Sequence, residues 1–114
     1  MTLRDLGLAL KKVVLNCFHY AATKQPDKYI VWAEDNQAES FWADGKMTLQ
    51  AIQGTIHYFT RDEYDSNFGK IQSALNTLGI SWRLNSIQYE DDTRYIHYEW
   101  VWEMEVSVDG KDGD

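Results

Sequence analysis

"YIHYEWVWEMEV" (95–106) decides the fold, because its two alternating sets of side chains have opposite chemistry. Successive residues of a strand point to opposite faces. Ile96, Tyr98, Trp100, Trp102, Met104 and Val106 therefore share one side, and Tyr95, His97, Glu99, Val101, Glu103 and Glu105 the other. The first set is what a sheet presents to covering helices, since each large aromatic side chain removes about 150–250 Å² from water. The second set puts Glu99, Glu103 and Glu105 in a row, joined at the preceding turn by Glu90, Asp91 and Asp92. Such a face is expected to meet solvent, to line an acidic channel or to contact a neighbouring molecule.

Upstream, "ISWRLNSIQYE" (80–90) starts with Ile80, Trp82 and Leu84 in phase and continues with Ile87 and Tyr89 out of phase. One inserted residue near Asn85-Ser86, a β-bulge, returns all five to one face. "DDT" (91–93) turns the chain into the last strand, expected over about 94–107. "TLQAIQGTIHYF" (48–59) alternates as a long strand, with Ile52, Ile56 and Tyr58 on one side. Gly54 lies among them, where a missing side chain lets something bulky approach. "KYIVWAED" (28–35) is rich in β-branched and aromatic residues and reads as a strand, followed by the polar loop "NQAES". Between these two strands "FWADGKM" (41–47) carries Asp44-Gly45, a hairpin signal because type I′ turns need positive φ at both central positions.

Two segments read as helices. Thr2 with Asp5 resembles a helix start, a hydroxyl N-cap with an acid in the first turn. At about 100° per residue, Leu3, Leu6, Leu10, Val13, Val14, Cys17 and Phe18 fall on one broad face, predicting a helix over about 3–21 that closes before Pro26. Leu8 and Leu15, seven apart, form a second narrow apolar seam among its polar positions and are a candidate subunit interface. Further on, "TRDE" (60–63) reads as a capping box. Tyr64, Phe68, Ile71, Leu75 and Leu78 then follow at spacings of 4, 3, 4 and 3, an amphipathic helix ended by Gly79.

The order α-β-β-β-α-β-β makes an α+β two-layer domain. Short connections give a mostly antiparallel five-stranded sheet, and two amphipathic helices most simply cover one of its faces. Residues 1–108 form this single domain, of ordinary size. "DGKDGD" (109–114) is expected to be a frayed, disordered tail.

Several functions are disfavoured by composition. A net charge of −7 argues against a grip on nucleic acid, which needs clustered Lys and Arg, although DNA can pass nearby without being held. The single cysteine, Cys17, rules out an internal disulfide and fits a reducing compartment. Placed on the buried stripe of the first helix, it reads as a small core residue rather than a catalytic thiol, which needs a base to lower its pKa. His19, expected on a helix, and His57 and His97, expected on separate strands, lack the spacing of a metal site and read as ordinary, partly exposed histidines. No phosphate-binding glycine motif is present, and "DGKDGD" has the wrong ligand spacing for a calcium loop. No carboxylate pair stands out as desolvated. The expectation is a non-enzyme with no cofactor and no metal. No apolar run approaches the about 20 residues that cross a bilayer, and the amino terminus lacks a basic-then-apolar signal layout. A soluble protein without membrane contact, kept inside the cell that makes it, is expected.

A family likeness rests on "YIVWAED", the hairpin from Trp42 to Lys46, "IQGTIHYFT", "GKIQSALN" and the closing "YIHYEWVWEMEV", spanning about residues 3–106. In these the chain resembles the small tail-completion, or tail-terminator, proteins of long-tailed phages and prophages of Gram-positive bacteria. The resemblance implies a non-enzymatic virion assembly protein, made in the host cytoplasm and carried in the virion tail. It implies a ring of copies of itself, usually a hexamer, capping the head-proximal end of the tail. That ring would contact the major tail tube protein below and the head–tail connector proteins above. Leu8 and Leu15 would then face a neighbouring subunit, and an open sheet edge could pair across subunits. An acidic lumen of Glu99, Glu103 and Glu105 would let DNA slide through without specific binding, because like charges repel within a Debye length of about 8 Å. The alternatives are a head-side neck adaptor (a head-completion protein) and, from a different class, a small-ligand-binding or regulatory α+β domain with an enclosed pocket.

Overall fold

The computed structural model describes residues 2–38 and 49–107. The expected Asp44-Gly45 hairpin and the 109–114 tail lie outside them. The elements are α1 (Leu3–Val13), β1 (Cys17–His19), β2 (Lys28–Gln37), β3 (Leu49–Thr60), α2 (Asn67–Leu78), β4 (Ser81–Tyr89) and β5 (Ile96–Ser107). The order is the expected one, but one of the three strands before α2 is β1, drawn from residues whose apolar spacing predicts a helix.

α1 begins with a complete capping box: the Asp5 amide donates to the Thr2 hydroxyl (3.0 Å) and the Thr2 amide to the Asp5 carboxylate (2.9 Å). The helix stops at Val13, not near 21. Val14 is already extended (φ −131°, ψ 113°), a conformation its β-branched side chain favours. The chain then lies along β2, whose Ile30 amide donates to the Asn16 carbonyl at 2.9 Å, and Cys17–His19 pair in parallel with Ile30, Val31 and Trp32. Ladder bonds along an otherwise open edge thus replace another helical turn. Cys17 and Phe18, neighbours on one helical stripe in the sequence reading, point to opposite faces of the sheet.

The sheet runs β1-β2-β3-β5-β4, with every pair except β1–β2 antiparallel. Trp32, Ile56 and Trp100 lie opposite one another across β2, β3 and β5, as do Ile30, Tyr58 and Tyr98. With Trp102, Met104 and Val106 they form one buried layer, on which Leu6 and Leu10 of α1 and Ile71 and Leu75 of α2 pack with no exposure. Both helices therefore cover the same face.

Close approach depends on two glycines. Gly54 lies opposite Trp102, and a Cβ there would overlap the Trp102 indole and the Ala33 carbonyl. The ring fills that space, and its Nε1 donates to the Thr55 carbonyl at 3.1 Å. At Gly7 a Cβ would come within 2.7 Å of Trp32, so the missing side chain lets α1 settle on that ring. Trp100 and Trp82 anchor α2 from below by donating to Gln72 (3.1 Å) and Asn76 (2.8 Å).

β4 carries the expected bulge between Leu84 and Ser86. Trp82, Leu84, Ile87 and Tyr89 consequently all sit opposite helix-side residues of β5. α2 starts at Asn67, later than the "TRDE" reading implies. β3 runs on through Thr60, whose hydroxyl accepts from the Asp62 amide (3.1 Å) in a tight turn instead of capping a helix. Asp65 accepts from the Asn67 amide (2.8 Å), and Ser66, the N-cap, makes no side-chain cap. At the other end Gly79 adopts φ 74°, with Gly79 donating to the Asn76 carbonyl and Ile80 to that of Leu75, the closure expected of a C′ glycine.

Candidate functional site

The face of the sheet away from the helices has two unlike halves. At the end where β2 and β5 begin, Tyr29 and Phe59 stack at 4.5 Å, and Tyr95 meets both edge-on at 5.6 and 5.8 Å. Phe18 closes the cluster against Tyr29. The Tyr95 hydroxyl donates to the Pro26 carbonyl (2.6 Å), with that of Gln25 at 3.0 Å. Arg61 lies over the Tyr95 ring at 4.0 Å and donates to Asp27 (2.7 Å) and to the Thr93 carbonyl (2.9 Å). The 20–27 connection, which must run back beside β2 to make β1 parallel to it, is thereby tied down as a strap. Tyr95 is 2% exposed, so the solvent-facing surface expected on this side is closed here.

Beyond the strap the face opens. Nδ1 of His57 and Nε2 of His97 approach head-on at 2.8 Å. Nδ1 of His97 lies 3.6 Å from the Glu90 carboxylate, which accepts from the Thr93 hydroxyl (2.9 Å), and Phe59 stacks on the His97 ring at 4.2 Å. Burial holds the His97 imidazole below its ordinary pKa, and His57 pushes it the same way. Glu99 stands directly across from His57 and is half-buried, its carboxylate 3.5 Å from the Ser86 hydroxyl. Glu103, Glu105, Asp91 and Asp92 are exposed. Glu99, Glu103 and Glu105 share the side away from the helices, but Glu99 belongs to the histidine cluster rather than to an open acidic row.

The sequence gives no direct sign of the His57–His97 contact. β3 and β5 are separated by α2 and β4, so their register, and with it the neighbour of each histidine, depends on tertiary pairing. Any signal in the sequence is faint: both histidines alternate onto the non-core side of their strands.

The helix side holds the candidate interface leucines. Leu8 is half-exposed on the outer side of α1, between two shallow grooves. One, about 360 Å³, is floored by Trp32 and flanked by Arg4 and Lys11; the other, about 480 Å³, runs between Ala9 and Val13 of α1 and Ala74 and Leu78 of α2. Leu15 is 77% exposed but lies in the turn after α1, so Leu8 and Leu15 do not form one helical seam. His19 sits on β1, not on a helix; it is sandwiched between Tyr20 and Trp32 and bonded to Glu34 at 2.6 Å. Burial alone would raise the Glu34 carboxyl, but the bonds to His19 and Tyr20 outweigh it and hold it below the usual range. Cys17 also leaves the expected helix but still packs against the core, and burial pushes its thiol up to about 11, with Lys11 a weaker opposing influence. At that value it is a thiol at neutral pH, not a nucleophile.

Two further features lie away from the histidine pair. Ile87 and Tyr89 are more than half exposed on the helix side of β4, opposite Tyr98 and Ile96. Asp65, buried just ahead of α2, accepts from the Tyr58 hydroxyl (2.5 Å), with Lys28 at 3.4 Å. Its burial would raise the carboxyl, but bonds from Tyr58, Thr60 and the Asn67 amide prevail and lower it. This group fastens the β3–α2 connection and is closed to a ligand. Among the described residues no group of three or more His, Cys, Asp or Glu side chains is preassembled for a metal, and no helix is long and apolar enough to cross a membrane. No protein-family model and no curated protein matches the chain.

Proposed function

We propose that the chain is a non-enzymatic virion assembly protein that caps the head-proximal end of a phage tail tube as a ring and joins tail to head. The observation that carries this reading is the one-sided cover of the sheet. Both helices are spent on one face, leaving Glu103 and Glu105 on the other, edge strand β4, and exposed apolar groups at Leu8, Leu15, Ile87 and Tyr89. Scattered apolar residues are ordinary on a monomer; here they flank β4, the last strand of the sheet among the described residues, and the outer side of a helix, where a neighbouring subunit can cover them. The resemblance over residues 3–106 supplies the kind of assembly: copies of itself around the ring, tail tube protein below and head connector above. In such a ring the acidic side of β5 faces the DNA path and repels it.

The test is negative-stain imaging of the purified chain, alone and mixed with tubes of the tail tube protein encoded in the same genome. Rings seated on one end of the tubes are expected; a monomer that leaves both tube ends bare rejects the reading. Leu8→Asp with Leu15→Asp is expected to reduce the assembly measured by light scattering, and an unchanged assembly state removes those two leucines from the interface. A ring structure with Glu99, Glu103 and Glu105 on its outer wall rejects the acidic lumen alone.

A further inference from the structure

We propose that His57 and His97 are the nucleus of a divalent transition-metal site on the open face of the sheet, with Glu99 as third ligand and Glu90 positioning His97. The two imidazoles come from adjacent strands and present Nδ1 and Nε2 to each other at 2.8 Å. Only one proton fits between them, so at least one of those nitrogens offers a lone pair. The Glu90 carboxylate, 3.6 Å from Nδ1 of His97, favours the proton on that nitrogen and leaves Nε2 as the lone-pair donor. A carboxylate behind the imidazole is the arrangement that orients metal-bound histidines.

The rings and the carboxylate must all move to take an ion. Zinc–nitrogen bonds of about 2.0–2.1 Å at a tetrahedral centre put two ligand nitrogens about 3.3 Å apart. The rings must therefore part by about half an ångström and tilt toward a common point. The third donor is at hand: Glu99 is directly across from His57, at a Cβ separation of about 4.5–5.5 Å for such pairs, and only a long 3.5 Å contact with Ser86 restrains its carboxylate. Its carboxylate must rotate off Ser86 to complete the set, since three such groups do not converge in the structure as it stands. Phe59, stacked on His97, and Val31, in register with His57, make the flanks apolar. Two imidazoles and a carboxylate suit Zn²⁺, Co²⁺, Ni²⁺ or Cu²⁺ and do not suit Mg²⁺ or Ca²⁺. Ligation moves the shared proton to Nε2 of His57, and because only neutral imidazoles ligate, protons compete with the ion and affinity falls as pH falls. An ion held there ties β3 to β5 on the side that carries no helix, whether or not the chain caps a tail tube.

The test is titration of the full chain with ZnCl2, followed by calorimetry and thermal unfolding. Saturable binding with a micromolar Kd and a Tm rise reversed by EDTA are expected, with no shift from MgCl2 or CaCl2 at equal concentration. His57→Asn and His97→Asn are each expected to weaken binding at least about tenfold, and Glu99→Gln several-fold. His19→Asn serves as control and leaves the Kd unchanged, since His19 lies on the other face against Glu34. Should the histidine variants unfold, the Glu99→Gln titration and the visible d–d spectrum of the Co²⁺-loaded native chain, which reports imidazole ligation, still decide. Absence of saturable binding at millimolar Zn²⁺ overturns the proposal, as does binding that survives both the His57 and His97 variants or is lost with His19.

Discussion

Trp100 and Glu99 are adjacent in the chain and live on opposite sides of β5. Trp100 is fully buried beneath α2 with its indole nitrogen bonded to Gln72, whereas Glu99 is half-buried on the far side beside a pair of histidines. On the helix side, neighbours across the strands are packed apolar groups, so a change there removes many contacts at once. On the open side, interactions are few, polar and specific to one end or the other: the strap over Tyr95, the histidine pair, and then solvent. Stability is therefore concentrated on one face, and the other is free to carry chemistry or contacts at little structural cost.

Five measurements probe that asymmetry. Trp102→Ala empties the space over Gly54 and is expected to cost about 3–5 kcal/mol in urea unfolding; a loss below 1 kcal/mol would mean that the core layer is not where stability resides. Gly54→Ala attacks the same contact from the partner strand, forcing a Cβ into the Trp102 ring and the Ala33 carbonyl, with an expected loss of about 1–3 kcal/mol. On the open face, Tyr95→Phe removes the hydroxyl bond to the strap and is expected to cost only about 0.5–1.5 kcal/mol, read from the same urea curves, while speeding proteolysis within 20–27.

The histidine pair adds a pH signature. Because burial and His57 lower the His97 pKa from an ordinary value near 6.5, the unfolded chain takes up that proton first as pH falls. The stabilisation is complete above about pH 6.5 and is lost as pH drops toward the folded value. Urea midpoints at pH 7.5 and 5.5 should show this loss, and His97→Gln should flatten it; an unchanged slope assigns the effect to another group. The smallest effect is expected at the exposed acids, where Glu103→Gln with Glu105→Gln should leave stability within about 0.5 kcal/mol. A larger change would show that this half of the face is already engaged with something.

Local patterning read several elements well. The alternation in β5 predicted which side the helices cover, the phase slip in 80–90 predicted the bulge, and Gly54 and Gly79 were legible because each has a steric reason to lack a side chain. Where the sequence reading failed, local and long-range demands conflicted. Cys17 and Phe18 continue a helical apolar pattern, but the exposed edge of β2 offers them ladder bonds, and the strand wins. "TRDE" has the letters of a capping box, yet Thr60 is still paired within β3. Tyr95 alternates with the glutamates, but a strap from 70 residues upstream covers it.

By itself the sequence determined which side chains seek burial and at what period, and hence that two helices and a set of strands form a two-layer domain. Side-chain hydrophobicity and backbone sterics act between near neighbours, so a linear chain records them. Tertiary structure alone decided that β1 pairs in parallel with β2, that the strap closes half of the open face, and that His57 meets His97. Those outcomes depend on strand register and on backbone groups seeking distant partners, which neighbouring residues do not encode.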